Sequence, residues 1–190
     1  MNLEELSQQV KDCKKCHLHE QRANAVPGEG NKNADILFIG EAPGYNEDQQ
    51  GVPFVGRAGK ILDELLESVN LKREDIFITN IVKCRPPENR DPWPEEISTC
   101  TPFLEQQILL IQPKVLVPLG RFATKYLFKK YGLPEETIST VHGQKFEVGT
   151  LAGKVTIIPM YHPAVATYDP NKKPMLLNDF SILGRPKKWE

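Results

Sequence analysis

Short apolar runs alternate with longer amphipathic stretches along this chain. The apolar runs are rich in β-branched residues and are bounded by turn residues, which is the pattern of buried strands. They cover residues 35–40 (DILFIG), 75–82 (DIFITNIV), 114–120 (KVLVPLG) and 154–160 (KVTIIPM). The pattern therefore predicts four strands.

Three stretches between these strands have the spacing of helices. They are residues 58–69 (AGKILDELLESV), 95–110 (EEISTCTPFLEQQILL) and 121–131 (RFATKYLFKKY). Pro102 predicts a kink in the second helix, or a restart just after Cys100, because proline lacks the N–H that a helix interior needs. Residues 145–149 and the strand that begins at Lys154 predict a hairpin at the edge of the sheet.

The alternation of strands and helices predicts an α/β fold, because parallel strands are joined by helices that cover both faces of their sheet. We expect a three-layer α/β/α sandwich with a central, mainly parallel four-stranded sheet. No repeat, low-complexity tract or linker divides the 190 residues. A chain of this length suits one core, so we expect a single domain over residues 1–190.

Polar side chains follow each predicted strand. Glu41 follows the first strand, and Asn80 lies near the end of the second. Arg121 follows the third strand, and His162 follows the fourth. Parallel strands end at one edge of their sheet, and open α/β sheets bind ligands at that edge. We therefore expect these four side chains to line one crevice.

Composition and charge narrow the function only a little. The chain has 24 Lys and Arg against 25 Asp and Glu, a formal net charge of −1. This balance neither requires nor excludes nucleic acid, because a basic strip on one face can be balanced elsewhere. No run approaches the ~18 apolar residues of a membrane span, and the polar start MNLEELSQQV is unlike a signal peptide. We expect a cytoplasmic protein that acts as a monomer.

The cysteines indicate a metal site. The chain has four of them: Cys13, Cys16, Cys84 and Cys100. In a reducing compartment such residues bind metal more often than they form disulfides. Their spacing leaves structural zinc, an iron–sulfur cluster and buried free thiols open. His17 and His19 lie beside Cys16 and could act as ligands, but exposed loop histidines are the simpler interpretation.

Two loops after the first strand have the composition of a base-binding site. Residues 40–44 (GEAPG) supply small side chains and free backbone N–H groups, which suit an oxygen-rich or heteroaromatic ligand. In residues 51–59 (GVPFVGRAG), Phe54 can stack on a base. The first loop could equally be a plain connection between a strand and a helix. Phe54 could equally be an aromatic side chain in a small apolar cluster outside the main core.

Asn80 and His162 suggest how a base would be read and released. The Asn80 carboxamide has a donor and an acceptor side by side, matching O4 and N3–H of uracil, whereas cytosine presents the reverse pattern. His162 precedes a proline, which favours an extended backbone. It could donate to a carbonyl oxygen that gains negative charge as a bond breaks. A strand cap for Asn80 and a structural role for His162 are the alternatives.

Four segments occur in a fixed order with the cysteines interleaved. They are GEAPG-YNED (residues 40–48), GVPFVGRAG (51–59), ITNIVKCRPPENR (78–90) and YHPA (161–164). Together they resemble the family 4 uracil-DNA glycosylases, the iron–sulfur members of the uracil glycosylase superfamily. The resemblance covers the chain from Cys13 to beyond His162.

The resemblance implies a uracil-DNA glycosylase of base excision repair, with a structural 4Fe-4S cluster on the four cysteines. Uracil would be flipped out of DNA into the crevice. There Phe54 would stack on it and Asn80 would read its Watson–Crick edge. The backbone at Ala42 and Pro43 would contact its carbonyl oxygens, and His162 would stabilise charge on O2. Water would attack C1′ and leave an abasic site.

Several finer roles follow from the resemblance. Ala42 stands where the family motif usually has glycine, which adds a methyl group at the floor of the base site. Glu41 is our first candidate for orienting the attacking water, with Asn80 and Asn89 as rivals. Glu47 is a candidate to exclude the methyl group of thymine.

The expected partner is uracil-containing DNA, single- or double-stranded, with replication or repair proteins as further candidates. Ala164 and Val165 resemble the loop that enters the minor groove. Basic residues predict a DNA path, with solvated surface as the alternative; they are Lys83, Arg85, Arg90, Lys172, Lys173, Arg185, Lys187 and Lys188. Two other functions stay open: a non-catalytic, metal-stapled nucleic-acid-binding module, and a nucleotide hydrolase on the same fold.

Overall fold

The centre of the fold is a mixed β-sheet. The computed structural model describes residues 1–150 and 153–184, and within them six strands form one sheet in the order β1-β3-β2-β4-β6-β5. The strands are β1 (Glu29–Gly30), β2 (Ile36–Gly40), β3 (Phe77–Asn80), β4 (Val115–Pro118), β5 (Phe146–Thr150) and β6 (Gly153–Ile157). The inner strands β3, β2, β4 and β6 are parallel, and the edge strands β1 and β5 are antiparallel to their neighbours.

The α/β class and the four inner strands are confirmed, but the prediction of a four-stranded sheet is wrong. The missing member, β1, has two exposed residues and therefore no apolar run that could reveal it. The predicted hairpin is confirmed, since β5 pairs with β6 from Phe146 opposite Ile157 to Thr150 opposite Gly153. This hairpin extends the sheet and closes its other edge.

Helices cover both faces of the sheet. The α-helices are α1 (Leu3–Asp12), α2 (Tyr45–Gln50), α3 (Arg57–Ser68), α4 (Pro94–Ile111), α5 (Arg121–Lys130), α6 (Ile138–Val141), α7 (Val165–Tyr168) and α8 (Lys173–Phe180). Short 3₁₀ turns lie at His17–Glu20, Arg73–Asp75, Pro87–Asn89, Pro170–Lys172 and Ser181–Leu183. The three predicted helices correspond to α3, α4 and α5.

Alternation along the strands creates two apolar layers, because successive side chains of a strand point to opposite faces. In β2, Leu37 and Ile39 pack with buried residues of α1, α4 and α5. Ile36 and Phe38 pack on the other face with buried residues of α3, α7 and α8. This arrangement is the expected three-layer sandwich.

Helix α4 continues through Pro102 without a restart. Pro102 cannot donate to the carbonyl oxygen of Ser98, four residues earlier. The hydroxyl group of Thr101 lies 3.5 Å from that oxygen and donates to it. The prediction of a restart after Cys100 is therefore wrong, and Cys100 lies on a continuous helix that is fixed to the core by Phe103 and Leu104.

No helix among the described residues is long and apolar enough to cross a membrane.

Candidate active site

An open cleft of about 490 Å³ lies beyond the carboxyl ends of the parallel strands. Of the predicted site residues, it brings together Glu41, Ala42, Glu47, Phe54, Asn80, Asn89, His162, Ala164 and Val165. Gly44 and Ala58, from the two predicted base-binding loops, also line it, and so do Asp91 and Tyr168, which were not predicted. Segments far apart in sequence thus meet because their strands end at the same edge.

Gly40 makes room for two side chains at the floor of the cleft. A Cβ atom at this position would lie 2.2 Å from Oδ1 of Asn80 and 2.8 Å from Cζ of Phe54. Only glycine avoids both contacts, since real Cβ atoms do not approach other atoms so closely. The amide of Asn80 and the ring of Phe54 therefore converge above the end of β2.

The Asn80 carboxamide has no hydrogen-bond partner among the described residues, although only 2% of the residue is exposed. Its backbone is fixed, because the Asn80 carbonyl accepts a hydrogen bond of 2.7 Å from Nζ of Lys83. The amide lines the cleft, so it is available to water or to a ligand there.

Phe54 is held in an unusual backbone conformation. Its φ angle is +54°, in the left-handed region that non-glycine residues rarely occupy. Arg73 donates to the carbonyl oxygens of Pro53 and Phe54, and a Cβ on Gly59 would lie 1.8 Å from the latter oxygen. The loop is thus clamped at its backbone. This clamp places the buried Phe54 ring 5.5 Å from the His162 ring, with 27° between their planes.

His162 is a neutral imidazole with one nitrogen already occupied. The backbone N–H of Ala164 donates to its Nδ1 at 3.1 Å. Burial lowers the pKa of His162 to about 4, opposed by the negative charge of Glu47. In the neutral ring, a proton acceptor at Nδ1 requires the proton to be on Nε2. His162 is therefore a neutral donor through Nε2–H.

Glu41 shares the cleft with a second carboxylate, Asp91. Burial and, to a smaller extent, the negative charge of Asp91 raise the pKa of Glu41 to about 7, while the positive charge of Arg121 opposes the rise. Arg121 donates to Oδ2 of Asp91 at 2.5 Å. Arg121 itself is mostly exposed and does not line the cleft. The prediction that Arg121 lines the crevice is therefore wrong. Arg121 instead binds Asp91, which does line the cleft and which the sequence pattern did not predict.

Glu47 joins the two loops that follow β2. Its Oε2 accepts from the N–H of Gly44 at 3.1 Å. Its Oε1 accepts from the N–H groups of Val55 and Gly56, both at 2.9 Å. With three backbone donors, the carboxylate is fixed at the wall of the cleft beside Phe54. Pro43, by contrast, is buried and does not line the cleft.

Asn89 reaches the cleft from the loop that follows β3. Glu88 and Asn89 have φ angles of +56° and +54°, so two consecutive residues occupy the left-handed region. Nε of Arg85 donates to Oδ1 of Asn89 at 2.7 Å. Strain of this kind concentrates at functional sites. Asn89 therefore remains, with Glu41, a candidate for orienting the attacking water.

The four cysteines line a second cavity, which shares no lining residue with the cleft. Cys13 follows α1, Cys16 precedes the 3₁₀ turn at His17–Glu20, and Cys84 and Cys100 lie after β3 and on α4. All four are free thiols. No three His, Cys, Asp or Glu side chains within residues 1–150 and 153–184 are placed to hold one metal ion. Structural zinc, with Zn–S bonds of about 2.3 Å, and an iron–sulfur cluster both stay open as groups for these four cysteines.

Nitrogen donors already point at two of these sulfur atoms. Nη1 of Arg22 donates to Sγ of Cys84 at 2.9 Å, and the N–H of Lys83 donates to Sγ of Cys100 at 3.2 Å. Burial raises the pKa of Cys84, and it raises the pKa of Cys100 to about 12. These thiols lose their protons readily only when a metal centre binds them. Four thiols with N–H donors aimed at two of the sulfur atoms are the kind of donor set that holds a thiolate-bound metal centre.

The two histidines beside Cys16, His17 and His19, both make contacts within the protein. Nε2 of His17 lies 2.9 Å from Oε1 of Glu96, whose side chain is fully buried. Arg90 donates to both oxygens of the same carboxylate. Nδ1 of His19 contacts the carbonyl oxygen of Cys16 at 2.8 Å, and His19 lines the cysteine cavity. His17 therefore ties the cysteine loop to the start of α4.

Of the five residues of the predicted basic path that the structure describes, four are engaged within the protein. Lys83 is 1% exposed, and its Nζ donates to Thr79, Asn80 and Gln107. Its assignment to the DNA surface is therefore wrong. Arg85 lies over the ring of Tyr45, Arg90 binds Glu96, Lys173 pairs with Glu64, and Lys172 is exposed. Arg185, Lys187 and Lys188 lie outside the described residues.

Comparison with known proteins identifies the family. A model described as the uracil DNA glycosylase superfamily matches residues 27–181. A type-4 uracil-DNA glycosylase of Archaeoglobus fulgidus is 47% identical over 183 residues, which are 96% of this chain and 92% of that protein. One from Saccharolobus solfataricus is 51% identical over 180 residues, 94% and 83% of the two chains. A type-5 uracil-DNA glycosylase of Thermus thermophilus is 33% identical and covers 74% of this chain and 69% of its own length. The resemblance read from the motifs is confirmed, and the chain belongs to the type-4 uracil-DNA glycosylase family.

Proposed function

We propose that this protein is a monofunctional uracil-DNA glycosylase, which hydrolyses the N-glycosidic bond of uracil in DNA and leaves an abasic site for base excision repair. The observation that carries the proposal is the amide of Asn80, which makes no hydrogen bond to a described residue and lines one cleft with the Phe54 ring and the neutral His162. The names of the type-4 relatives support the same activity.

The cleft selects uracil through a fixed pattern of donors and acceptors. The amide N–H of Asn80 donates to O4 of the base, and its carbonyl oxygen accepts from N3–H. Cytosine presents the opposite pattern, so it would leave two buried groups unpaired. Phe54 stacks on the ring of the base. Glu47, held by three backbone N–H groups, stands as the barrier to the methyl group of thymine.

The base must leave the helix to reach this cleft. The Asn80 amide lies at the floor of the cleft, so a base that remains paired and stacked cannot contact it. The nucleotide therefore turns out of the strand before the reaction. Extrusion costs the least free energy when the uracil is mismatched or already lies in a single strand.

His162 stabilises the leaving group. As the bond between C1′ and N1 breaks, its electron pair passes to uracil and negative charge collects on O2. The Nε2–H of His162 donates to that oxygen, which is electrostatic stabilisation of a developing anion. The sugar becomes oxocarbenium-like, and water adds to C1′ and releases a proton.

Glu41 orients that water, with Asn89 as the rival and Asn80 the less favoured one. A carboxyl with a pKa of about 7 is partly ionised at neutral pH, which suits a group that accepts a proton from water. Asn89 lines the same cleft and can orient water through its amide, although it cannot accept a full proton at neutral pH.

A 4Fe-4S cluster is the group proposed for the cysteine cavity, held by Cys13, Cys16, Cys84 and Cys100. Bound there, it would act as a structural crosslink between the N-terminal segment and the core. The cavity shares no lining residue with the base cleft, so the protein side chains alone carry out the bond cleavage. Free thiols of this kind suit a reducing compartment such as the cytoplasm.

The direct test uses oligonucleotides with a single uracil, both single-stranded and paired with guanine. Uracil release that makes the strand alkali-labile at that position is the expected result, and thymine or cytosine at the same position should give none. Holoprotein that binds these strands but releases no uracil would show a nucleic-acid-binding module. Competition by soluble deoxyuridine monophosphate at low concentration, with no reaction on DNA, would show a nucleotide hydrolase.

A further inference from the structure

Lys83 is a buried lysine just beyond the strand that carries Asn80. It is 1% exposed, and its Nζ donates to Oγ1 of Thr79 at 2.6 Å and to Oε1 of Gln107 at 2.7 Å. Its third hydrogen bond, of 2.7 Å, goes to the carbonyl oxygen of Asn80. These three acceptors match the three N–H donors of an ammonium group. Burying such a group is costly even when it is paired, and the steps of the proposed reaction give it no role.

The acceptors of Lys83 are themselves held in the interior. Nε2 of Gln107 donates to the carbonyl oxygen of Pro27 at 2.6 Å, and Oγ1 of Thr79 donates to the same oxygen at 2.9 Å. Thr79 is 0% exposed and lies on β3, whereas Gln107 is 1% exposed and lies on α4. The network therefore fixes Nζ of Lys83 in one position between the strand and the helix.

The bond from Lys83 to Asn80 takes the place of a strand partner. Asn80 lies opposite Gly40 of β2, and the N–H of Ile81 donates to the Gly40 carbonyl oxygen at 3.0 Å. A trans peptide unit points its N–H and its C=O in opposite directions, so the Asn80 carbonyl faces away from β2. On that side, the pairing of β3 with β1 ends at Ile78. Nζ of Lys83 thus completes the hydrogen bonding of the strand end where no strand reaches it.

The peptide that follows Asn80 decides where its side chain lies. The carboxamide can match O4 and N3–H of a base only if it leaves the strand at the right point and angle. A displacement of about 1 Å at a positioning group can cost roughly 100-fold in rate. The bond from Ile81 to Gly40 fixes this peptide on the side of β2, and the bond from Lys83 fixes it on the opposite side.

We propose that Lys83 is a positioning residue for base selection, whose ammonium group holds the peptide after Asn80 so that the carboxamide meets the Watson–Crick edge of uracil. The inference rests on the proposed function. Lys83 does not line the cleft, so it acts through the Asn80 backbone and not on the base. Its loss should therefore weaken the distinction between uracil and cytosine, while the binding of the strand as a whole should stay unchanged.

The first test measures base selection without catalysis. Lys83→Met keeps the length of the side chain and removes its donors, and Lys129→Met, at an exposed position of α5 outside the cleft, is the matched control. The ligands are single strands with one 2′-fluoro-2′-deoxyuridine or one 2′-fluoro-2′-deoxycytidine, in which fluorine disfavours the oxocarbenium-like sugar and slows cleavage. Wild type and Lys129→Met should bind the uracil strand at least about tenfold more tightly. Lys83→Met should lose most of this preference and keep its affinity for the cytosine strand.

The second test measures the rate on a single-stranded uracil oligonucleotide. Lys83→Met should be roughly 10- to 100-fold slower in single turnover, and Lys129→Met should match the wild type. Circular dichroism and thermal melting check that the variant is folded, as expected when an apolar side chain of similar volume replaces a buried charged one. If Lys83→Met does not fold, Thr79→Val removes one acceptor of Lys83 and takes its place, with a smaller loss in the same direction.

Two results would overturn the inference. One is a folded Lys83→Met, or its substitute Thr79→Val, with the rate and the uracil preference of the wild type. The other is an equal loss of affinity for the uracil and cytosine strands, which would show that Lys83 only supports the fold. Wild type that prefers the uracil strand but releases no uracil would instead contradict the proposed function, and the binding preference of Lys83→Met would still decide the role of Lys83.

Discussion

On the proposed function, base selection depends on the amide of Asn80. Asn80→Asp removes the N–H donor to O4 and places a negative charge near two carbonyl oxygens of the base. We expect uracil excision to fall by on the order of 10²–10⁴-fold, since sites built around paired polar groups discriminate strongly when one partner is lost. Single-turnover rates on a single-stranded uracil oligonucleotide measure the effect.

The matched control for this change is Asn33→Asp, which is exposed and outside the cleft. It carries the same change of charge and should keep the wild-type rate. An Asn80→Asp protein that folds normally and excises uracil as fast as Asn33→Asp would remove Asn80 from base reading.

The raised pKa of Glu41 predicts that the rate of uracil excision depends on pH. Its pKa of about 7 means that the carboxylate, the form able to accept a proton, increases as pH rises through that value. The single-turnover rate of the wild type should therefore rise between about pH 6 and pH 8. Glu41→Gln should be slow and flat over this range. If Glu41→Gln keeps the rise, the assignment passes to Asn89, and Asn89→Ala becomes the decisive variant.

The same carboxyl predicts a dependence of stability on pH. A pKa raised above the ordinary value of 4.5 means that the folded state binds the proton more tightly than the unfolded state does. Ionisation then opposes folding, and wild-type stability falls as pH rises from 4.5 towards 7. Glu41→Gln should unfold at a higher temperature than the wild type at pH 8, and the difference should vanish near pH 4. Equal melting temperatures at pH 8 would contradict the raised pKa.

At the scale of elements, the end of β2 must stay free of side chains for the base site to form. In Gly40→Ala, the new methyl group would meet the Asn80 amide and the Phe54 ring, at 2.2 Å and 2.8 Å before relaxation. We expect a folded protein with at least a roughly tenfold loss of uracil excision, because both groups must move away from the base. Gly149→Ala in β5 is the control, since a Cβ there meets nothing within 4 Å. Equal activity in the two variants would argue against the shared floor.

The elements that the sequence predicted well are those with strong apolar periodicity. The inner strands and α3, α4 and α5 pack their apolar residues directly on one another, so burial and pattern coincide. Strand β1 has two exposed residues, and α2 and α7 are single short turns that are held by tertiary contacts. Such elements depend on partners that are distant in sequence, so a local pattern does not reveal them.

The same distinction applies to the cleft. Glu41, Asn80 and His162 were predicted to meet because strand order alone brings strand ends together. Asp91 enters from a long loop whose course depends on the Glu88 and Asn89 backbone. Lys83 was placed on the surface because a lysine in a loop is usually solvated, whereas three buried acceptors hold it in the interior.

At the scale of the whole molecule, the cysteine cavity joins the N-terminal segment to the core. Cys13 and Cys16 lie on that segment, and Cys84 and Cys100 lie on the core. Anaerobic removal of the proposed cluster with a chelator should therefore loosen residues near Cys13 while the sheet stays folded. Trypsin should cut faster after the exposed Lys14 and Lys15, as read by mass spectrometry.

An internal reference for this digestion is Arg57, which is exposed at the start of α3. Its cleavage rate should change little when the group is removed. Protection of Lys14 and Lys15 that is unchanged after removal would mean that packing of α1 on α4 holds the segment without the group. A visible absorption band in the untreated protein distinguishes a cluster from zinc, whose filled d shell gives none.

The single hydrogen bond from the Ala164 amide to His162 has a consequence for the catalytic cycle. It keeps the proton on Nε2 of the ring throughout. On the proposed mechanism His162 therefore donates a hydrogen bond to the leaving base without transferring the proton. On the proposed mechanism the uracil departs as an anion and the imidazole is the same species before and after each turnover. No reprotonation step of His162 then separates one excision from the next. The enzyme is ready for another uracil as soon as the base and the abasic strand have diffused away.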